Sequence, residues 1–229
     1  MKIFLTAINA KYIHSNLAVY SLKAYTGEYE KYVAIGEYTI NNRVDDILEQ
    51  IYKEKPDVLC FSCYIWNMDY VEELIREYKK LCPDVPVWVG GPEVSYEVDT
   101  FLKEHPQVTG VMIGEGERTF REFCEYYVDR KRELSSIRGI AYRDAQTGET
   151  VYTLPQEPLV MGTIPFCYDK VENFENRIIY YESSRGCPFR CSYCLSSIEK
   201  KLRFRDIELV KKELAFFIEK RVPQVKFVD

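Results

Sequence analysis

The sequence predicts an α/β protein: a doubly wound, parallel, five-stranded sheet, then the start of a second strand and helix series. Three observations carry this. Short apolar runs alternate with helical periodicity through residues 1–130. The segments that would follow the strands are enriched in Gly, Ser, Asn or charged residues. Three cysteines crowd a short run, Glu182-Ser-Ser-Arg-Gly-Cys-Pro-Phe-Arg-Cys-Ser-Tyr-Cys194. Alternating strands and helices imply a parallel sheet covered on both faces, whose ligands bind beyond the carboxyl ends of the strands.

Residues 2–7, 32–37, 57–62, 85–91 and 108–114 read as the five strands, rich in Val, Ile and aromatics and bounded by turn residues. Between them, Val44, Ile47, Leu48 and Ile51 fall on one helical face, as do Val71, Leu74, Ile75 and Tyr78. Phe120, Phe123, Cys124 and Tyr127 repeat the spacing in the fifth helix. The carboxyl-end loops are then 9–15, 63–67, 90–95 and 114–117. Gly90 and Gly91 have two readings: a place where absent side chains admit a bulky ligand, or an ordinary strand-to-helix turn ahead of Pro92. Residues 140–143 and 149–154 form a hairpin, and 155–169, with Pro155, Pro158 and Pro165, read as a linker. A strand over 177–182, a helix carrying Ile207, Val210, Leu214, Phe217 and Ile218, and a strand over 224–228 complete the series. The expected division is 1–134, a hairpin and linker over 135–176, and 177–229.

The 229 residues are 46% hydrophobic, enough for a sizeable core, and the formal net charge of -5 provides no global basic field for nucleic acid. The basic run Lys200-Lys201-Leu-Arg203-Phe-Arg205 is short enough to be a solvated face. Eight cysteines, with no apolar leader and no long apolar stretch, imply a soluble protein of the reducing cytoplasm, away from membranes. Cys60, Cys63, Cys82, Cys124 and Cys167 lie in strand or helix patterns and read mostly as small core residues. Cys60-x2-Cys63 has a redox spacing, but sits within an apolar run.

Cys187, Cys191 and Cys194 are the candidate metal ligands. Three thiolates can hold three irons of a 4Fe-4S cluster and leave one iron open for chemistry. The competing readings are structural zinc and buried thiols. Zinc prefers four closed ligands, and no second Cys or His pair follows the triplet.

The Cys-x3-Cys-x2-Cys spacing, with aromatic Tyr193 before the third cysteine and Tyr180-Tyr-Glu-Ser-Ser-Arg-Gly186 ahead of the first, resembles the signature of the radical S-adenosylmethionine (radical SAM) superfamily. A doubly wound domain directly before it resembles the Rossmann-like cobalamin-binding domain of cobalamin-dependent radical SAM enzymes. The matching features there are Ser62, Gly90-Gly91 and the Gly114-Glu115-Gly116-Glu117 turn. The resemblance implies cobalamin, S-adenosylmethionine and a 4Fe-4S cluster as cofactors, and an electron donor such as flavodoxin or ferredoxin. It implies cobalamin contacts at Ser62, Gly90, Gly91, Ser95 and Gly114 to Glu117, with Tyr193 beside the cluster. Reductive cleavage of S-adenosylmethionine would generate a 5'-deoxyadenosyl radical, and methyl transfer through cobalt to an unreactive carbon is the leading reaction. Others in the group cyclise or rearrange carbon skeletons. The Asp-x-His-x2-Gly element that places histidine on cobalt in many cobalamin domains does not occur, and His14 is the imidazole nearest the corresponding loop. A radical methylthiotransferase is a competing reading, although Cys60, Cys63, Cys82 and Cys124 match no second triplet. A corrinoid or flavodoxin-like carrier module would leave the cysteine triplet unexplained. A radical SAM partial barrel has more strands than the two read here, so the chain is expected to be the amino-terminal portion of a longer enzyme.

Overall fold

The computed structural model describes residues 1–169, 176–198 and 201–229. Lys200, first in the basic run, and residues 170–175 of the expected linker segment lie outside the described residues. The chain runs β1 (Ile3–Asn9), α1 (Leu17–Tyr25), β2 (Val33–Thr39), α2 (Val44–Glu54), β3 (Val58–Ser62), α3 (Met68–Leu81), β4 (Val87–Gly90), α4 (Val98–Glu104), β5 (Gly110–Met112) and α5 (Gly116–Cys124). Then come β6 (Ile140–Arg143), β7 (Thr150–Tyr152), β8 (Ile178–Tyr181), β9 (Ser184–Arg185), β10 (Arg203–Phe204), α6 (Ile207–Glu219) and β11 (Gln224–Phe227).

The first five strands pair parallel in the order β2-β1-β3-β4-β5. The connections run to opposite sides from β1 and β3, which makes the carboxyl ends of these two strands the topological switch point of the sheet. Period-two alternation distributes the core. Ile3, Leu5, Ala7, Val58, Cys60 and Trp88 pack on one face with Phe120, Phe123 and Cys124 of α5. Phe4, Ile8, Leu59, Phe61, Val87 and Val89 pack on the other with Ile47, Ile51, Val71, Leu74, Ile75 and Tyr78 of α2 and α3. Cys60 and Cys63 therefore belong to opposite cores, so their spacing makes no redox pair. All eight cysteines are free thiols, and Cys60, Cys63 and Cys124 are buried.

Two expectations change. The sheet has seven strands, because β6 and β7, expected in a segment of their own, add antiparallel beyond β5. Without them β5 would present a row of unpaired backbone groups. Ile140 and Ala141, at 1% and 0% exposure, show that this hairpin shares the core rather than flanking it. The second change is in strand ends. β1 and β2 each run two residues past the expected limit, to Asn9 and Thr39, whereas β5 shortens to Gly110–Met112.

The later elements form a smaller layer. β8 and β11 pair parallel, with α6 packed on them through Val210 and Phe217 against Ile179, Tyr181 and Tyr168. Asp206 starts α6 by accepting the backbone N–H groups of Glu208 and Leu209. The other edge of β8 is met by the loop after β1: Ile178 N–H donates to the Ile13 carbonyl, and Ser15 N–H donates to that of Ile178. Among the described residues, no helix is long and apolar enough to cross a membrane.

Candidate functional site

The predicted residues fall into two groups at the carboxyl edge of the large sheet. Ser62 and Gly90 are register partners at the ends of β3 and β4, with Gly91 and Ser95 just beyond. The Gly114 to Glu117 turn follows β5. Asn67, which sequence reading passed over, organises the first group. Fully buried, it donates to the carbonyls of Ile8 and Ser62 and accepts the Tyr64 N–H, and so ties the switch-point ends of β1 and β3 together. Trp66 stacks on Tyr64 with centroids 4.4 Å apart and donates its indole N–H to Ile8, while Ile65 stands 79% exposed. An apolar-aromatic cluster directly after a strand was the available signal.

Gly91 has φ +117, and a Cβ built there would lie 2.4 Å from the Cys63 carbonyl oxygen. The Cys63 backbone occupies the space that a side chain here would need, which accounts for glycine in this strand-to-helix turn. Ser95 donates its hydroxyl to the Gly91 carbonyl, fastening the same turn. Gly114 is different: at φ +79, a Cβ would meet nothing within 4 Å. Open space at this glycine, beside β4 and β5, fits a bulky cofactor against the sheet edge.

His14 is engaged elsewhere. It forms a β-bridge with Ile178, and its ring meets Tyr180 edge-on at 5.7 Å. Burial, reinforced by Lys11 and Lys226, holds its pKa below the ordinary imidazole value. Residues 13–15 of the loop after β1 are thus paired with β8. Nearby, Glu37 at the end of β2 accepts from Asn9, the Asn16 N–H and the Tyr20 hydroxyl, and pairs with Arg177 at 2.5 Å.

β9 and β10 enclose the cysteine loop, their antiparallel register setting Arg185 opposite Arg203. Gly186, at φ +92, turns the chain from β9 into Cys187. The three cysteines are half-buried, the Cys194 N–H donates to the Cys191 carbonyl, and Tyr193 is 91% exposed. Among the described residues, no three His, Cys, Asp or Glu side chains gather closely enough to hold a single metal ion. A cluster makes a different demand, since each thiolate takes its own iron, and three free thiols on one loop match that donor set.

The glutamates of the Gly-Glu-Gly-Glu turn, expected at a cofactor, face arginines. Arg185 forks onto Glu117, with Nη2 at 2.5 Å from Oε1 and Nη1 at 3.3 Å from Oε2, and also reaches Glu182 at 2.8 Å and Glu115 at 3.4 Å. Arg203 pairs with Glu115, which also accepts the Leu159 N–H. Burial pushes the Glu117 carboxyl up, but Arg185 and the Ser21 hydroxyl outweigh it and hold its pKa below the usual range. Burial dominates at Glu182, whose pKa is raised despite Arg185. Gly116 is tight for its own reason: a Cβ there would lie 2.8 Å from Leu22 of α1.

The doubly wound sheet, with a three-cysteine loop beside its carboxyl edge, has the architecture of a ligand-binding α/β module. Residues 5–124, more than half of the chain, match the B12 binding domain, and the chain belongs to that family. It is similar to the 2-(S-pantetheinyl)-carbapenam-3-carboxylate methyltransferase of Streptantibioticus cattleyicolor, 29% identical over 185 residues, covering 76% of this chain and 27% of that protein. It is equally similar to the cobalamin-dependent radical SAM methyltransferase TokK of Streptomyces tokunonensis, 29% identical over 189 residues with the same two coverages. The fold matches that of the cobalamin-dependent S-adenosylmethionine radical enzyme OxsB, solved with aqua-cobalamin and S-adenosylmethionine bound. The TM-score is 0.79 at 19% identity, over 99% of this chain and 34% of that one. The chain spans about a quarter of the length of these two curated relatives, 27% in each case.

Proposed function

We propose that this chain is the cobalamin and cluster-binding portion of a radical SAM methyltransferase. The observation that carries the reading is the placement of the cysteine loop: Arg185, two residues before Cys187, is ion-paired to Glu117 in the first turn of α5, immediately beyond the carboxyl end of β5. That contact brings the loop to the edge where doubly wound sheets bind ligands. Cobalamin would lie along the ends of β3, β4 and β5, with Ser62, Gly90 and Gly114 lining it and Gly91 and Ser95 shaping the turn behind. Cys187, Cys191 and Cys194 would hold a 4Fe-4S cluster whose open iron takes S-adenosylmethionine, with exposed Tyr193 alongside. When bound, these groups supply the one-electron and methyl-transfer chemistry. The chain's own part is to present three thiolates and to keep Glu117 ionised against Arg185, while His14 is engaged with β8. An electron donor of the flavodoxin or ferredoxin type, and residence in the cytoplasm, belong to the same reading.

The test is anaerobic reconstitution with iron and sulfide, followed by ultraviolet-visible spectra with and without hydroxocobalamin. Cluster absorbance and a retained corrin spectrum are expected, and Cys191→Ala should remove the first and spare the second. Unchanged iron and sulfide content in Cys191→Ala would sink the cluster assignment. A corrin that washes away from the wild-type chain would sink the cobalamin assignment.

A further inference from the structure

We propose that Arg185 and Arg203 are positioning residues that clamp the base of the cysteine loop onto the first turn of α5, fixing the separation between the sheet-edge cofactor site and the cluster. The inference rests on the function proposed above. It starts from an anomaly in β9 and β10. Each strand is two residues long, and together they close the loop that carries all three cluster cysteines. A ribbon of this length is marginal by itself. Its register also places two guanidinium groups directly opposite one another, an arrangement that repels.

Three carboxylates resolve the conflict. Arg185 and Arg203, only 14% and 11% exposed, are held by Glu115, Glu117 and Glu182, and two of these acids come from the turn that opens α5. Glu117 is itself 6% exposed and fastened by the Ser21 hydroxyl of α1. The loop is therefore tied at its base, from both strands, to the domain that holds the sheet edge. A bidentate fork constrains direction as well as distance, which a lysine at the same place would not do. Removing one partner of such a pair leaves a buried charge uncompensated, so the loop should detach before the sheet yields.

Two measurements on the full chain test this. In metal-free protein, hydrogen exchange of residues 186–198 should accelerate on the order of tenfold or more in Glu117→Gln, with β1 and β3 unchanged. In protein loaded with Co(II) cobalamin and a reduced cluster, pulsed electron paramagnetic resonance should show a weaker or more widely distributed dipolar coupling between the two centres, at unchanged iron and cobalamin content. A purely structural role would not move that coupling once both cofactors are in place. Wild-type exchange in the loop, or an unchanged coupling in the loaded variant, overturns the proposal. Arg185→Lys guards against a general folding defect. With a wild-type unfolding midpoint, faster loop exchange supports the clamp and unaltered loop exchange rejects it. A wild-type chain that takes up neither cofactor removes the proposed function, and the metal-free exchange then decides the clamp by itself.

Discussion

Gly91→Ala should damage the fold itself, before any question of ligand. The added methyl would sit 2.4 Å from the Cys63 carbonyl oxygen and 3.1 Å from the Cys63 nitrogen, on a residue held at φ +117. Three costs combine. A non-glycine residue at such a φ costs about 1–3 kcal/mol. Forcing packed atoms apart costs about 1–3 kcal/mol. The Cys63 N–H bond to the Gly90 carbonyl, 2.7 Å long and beside the intruding methyl, is worth about 1 kcal/mol. The sum, roughly 3–7 kcal/mol, rivals the about 5–15 kcal/mol that holds an ordinary domain together. Gly114→Ala is the control, because it shares a positive φ but meets nothing within 4 Å, and should lose only the about 1–3 kcal/mol of backbone strain. Urea unfolding followed by far-ultraviolet circular dichroism measures both. If Gly91→Ala lies within about 1 kcal/mol of Gly114→Ala, the steric reasoning is wrong, because packing against Cys63 has to supply the difference. Gly114→Ala then becomes the probe of crowding at the cofactor edge, where a folded protein with weakened cobalamin retention is the expected outcome.

Further outcomes follow from buried charge. Arg205 and Glu213, at 5% and 4% side-chain exposure, pair with each other, while Arg205 also donates to the carbonyls of Met161 and Ile164. Arg205→Met should cost about 3–5 kcal/mol by stranding Glu213, and adding Glu213→Leu should recover much of it; a double variant no better than the single one would count against this account. At His14 the folded pKa lies below the ordinary value, so the unfolded chain binds the proton first as pH falls below about 6.5. Stability should therefore drop from pH 7 into that window and level off below the folded pKa, and His14→Phe should flatten the curve; a variant that keeps the full slope would place the titration elsewhere. Glu117 has the same sign of proton preference, in a more acidic window. Its depressed pKa contributes stability that is complete above the ordinary carboxylate value of about 4.3 and lost as pH falls through the folded value, so Glu117→Gln should reduce the acid sensitivity of loop exchange.

Local pattern determined much of this molecule. The strand-helix alternation set the parallel sheet, because periods of two and near four are properties of neighbouring residues and need no partner to be read. The cysteine spacing likewise marked the candidate cluster loop, since all three donors lie within one short segment. Where residues far apart had to find each other, the linear pattern was silent. Nothing near Ile140 says that the hairpin will cover the open edge of β5, and nothing near His14 says that its loop will pair with Ile178. Glu115 and Glu117 were expected at a ligand only through the family resemblance of the Gly-Glu-Gly-Glu turn. Only the tertiary structure brings Arg185 and Arg203 to them, across separations of 68 and 88 residues. Gly91 makes the same point by distance: its glycine was legible, but the atom that excludes every other side chain there belongs to Cys63. Secondary structure and donor sets are written in short-range order, whereas the identity of a buried group's partner depends on which surfaces the packed chain brings together.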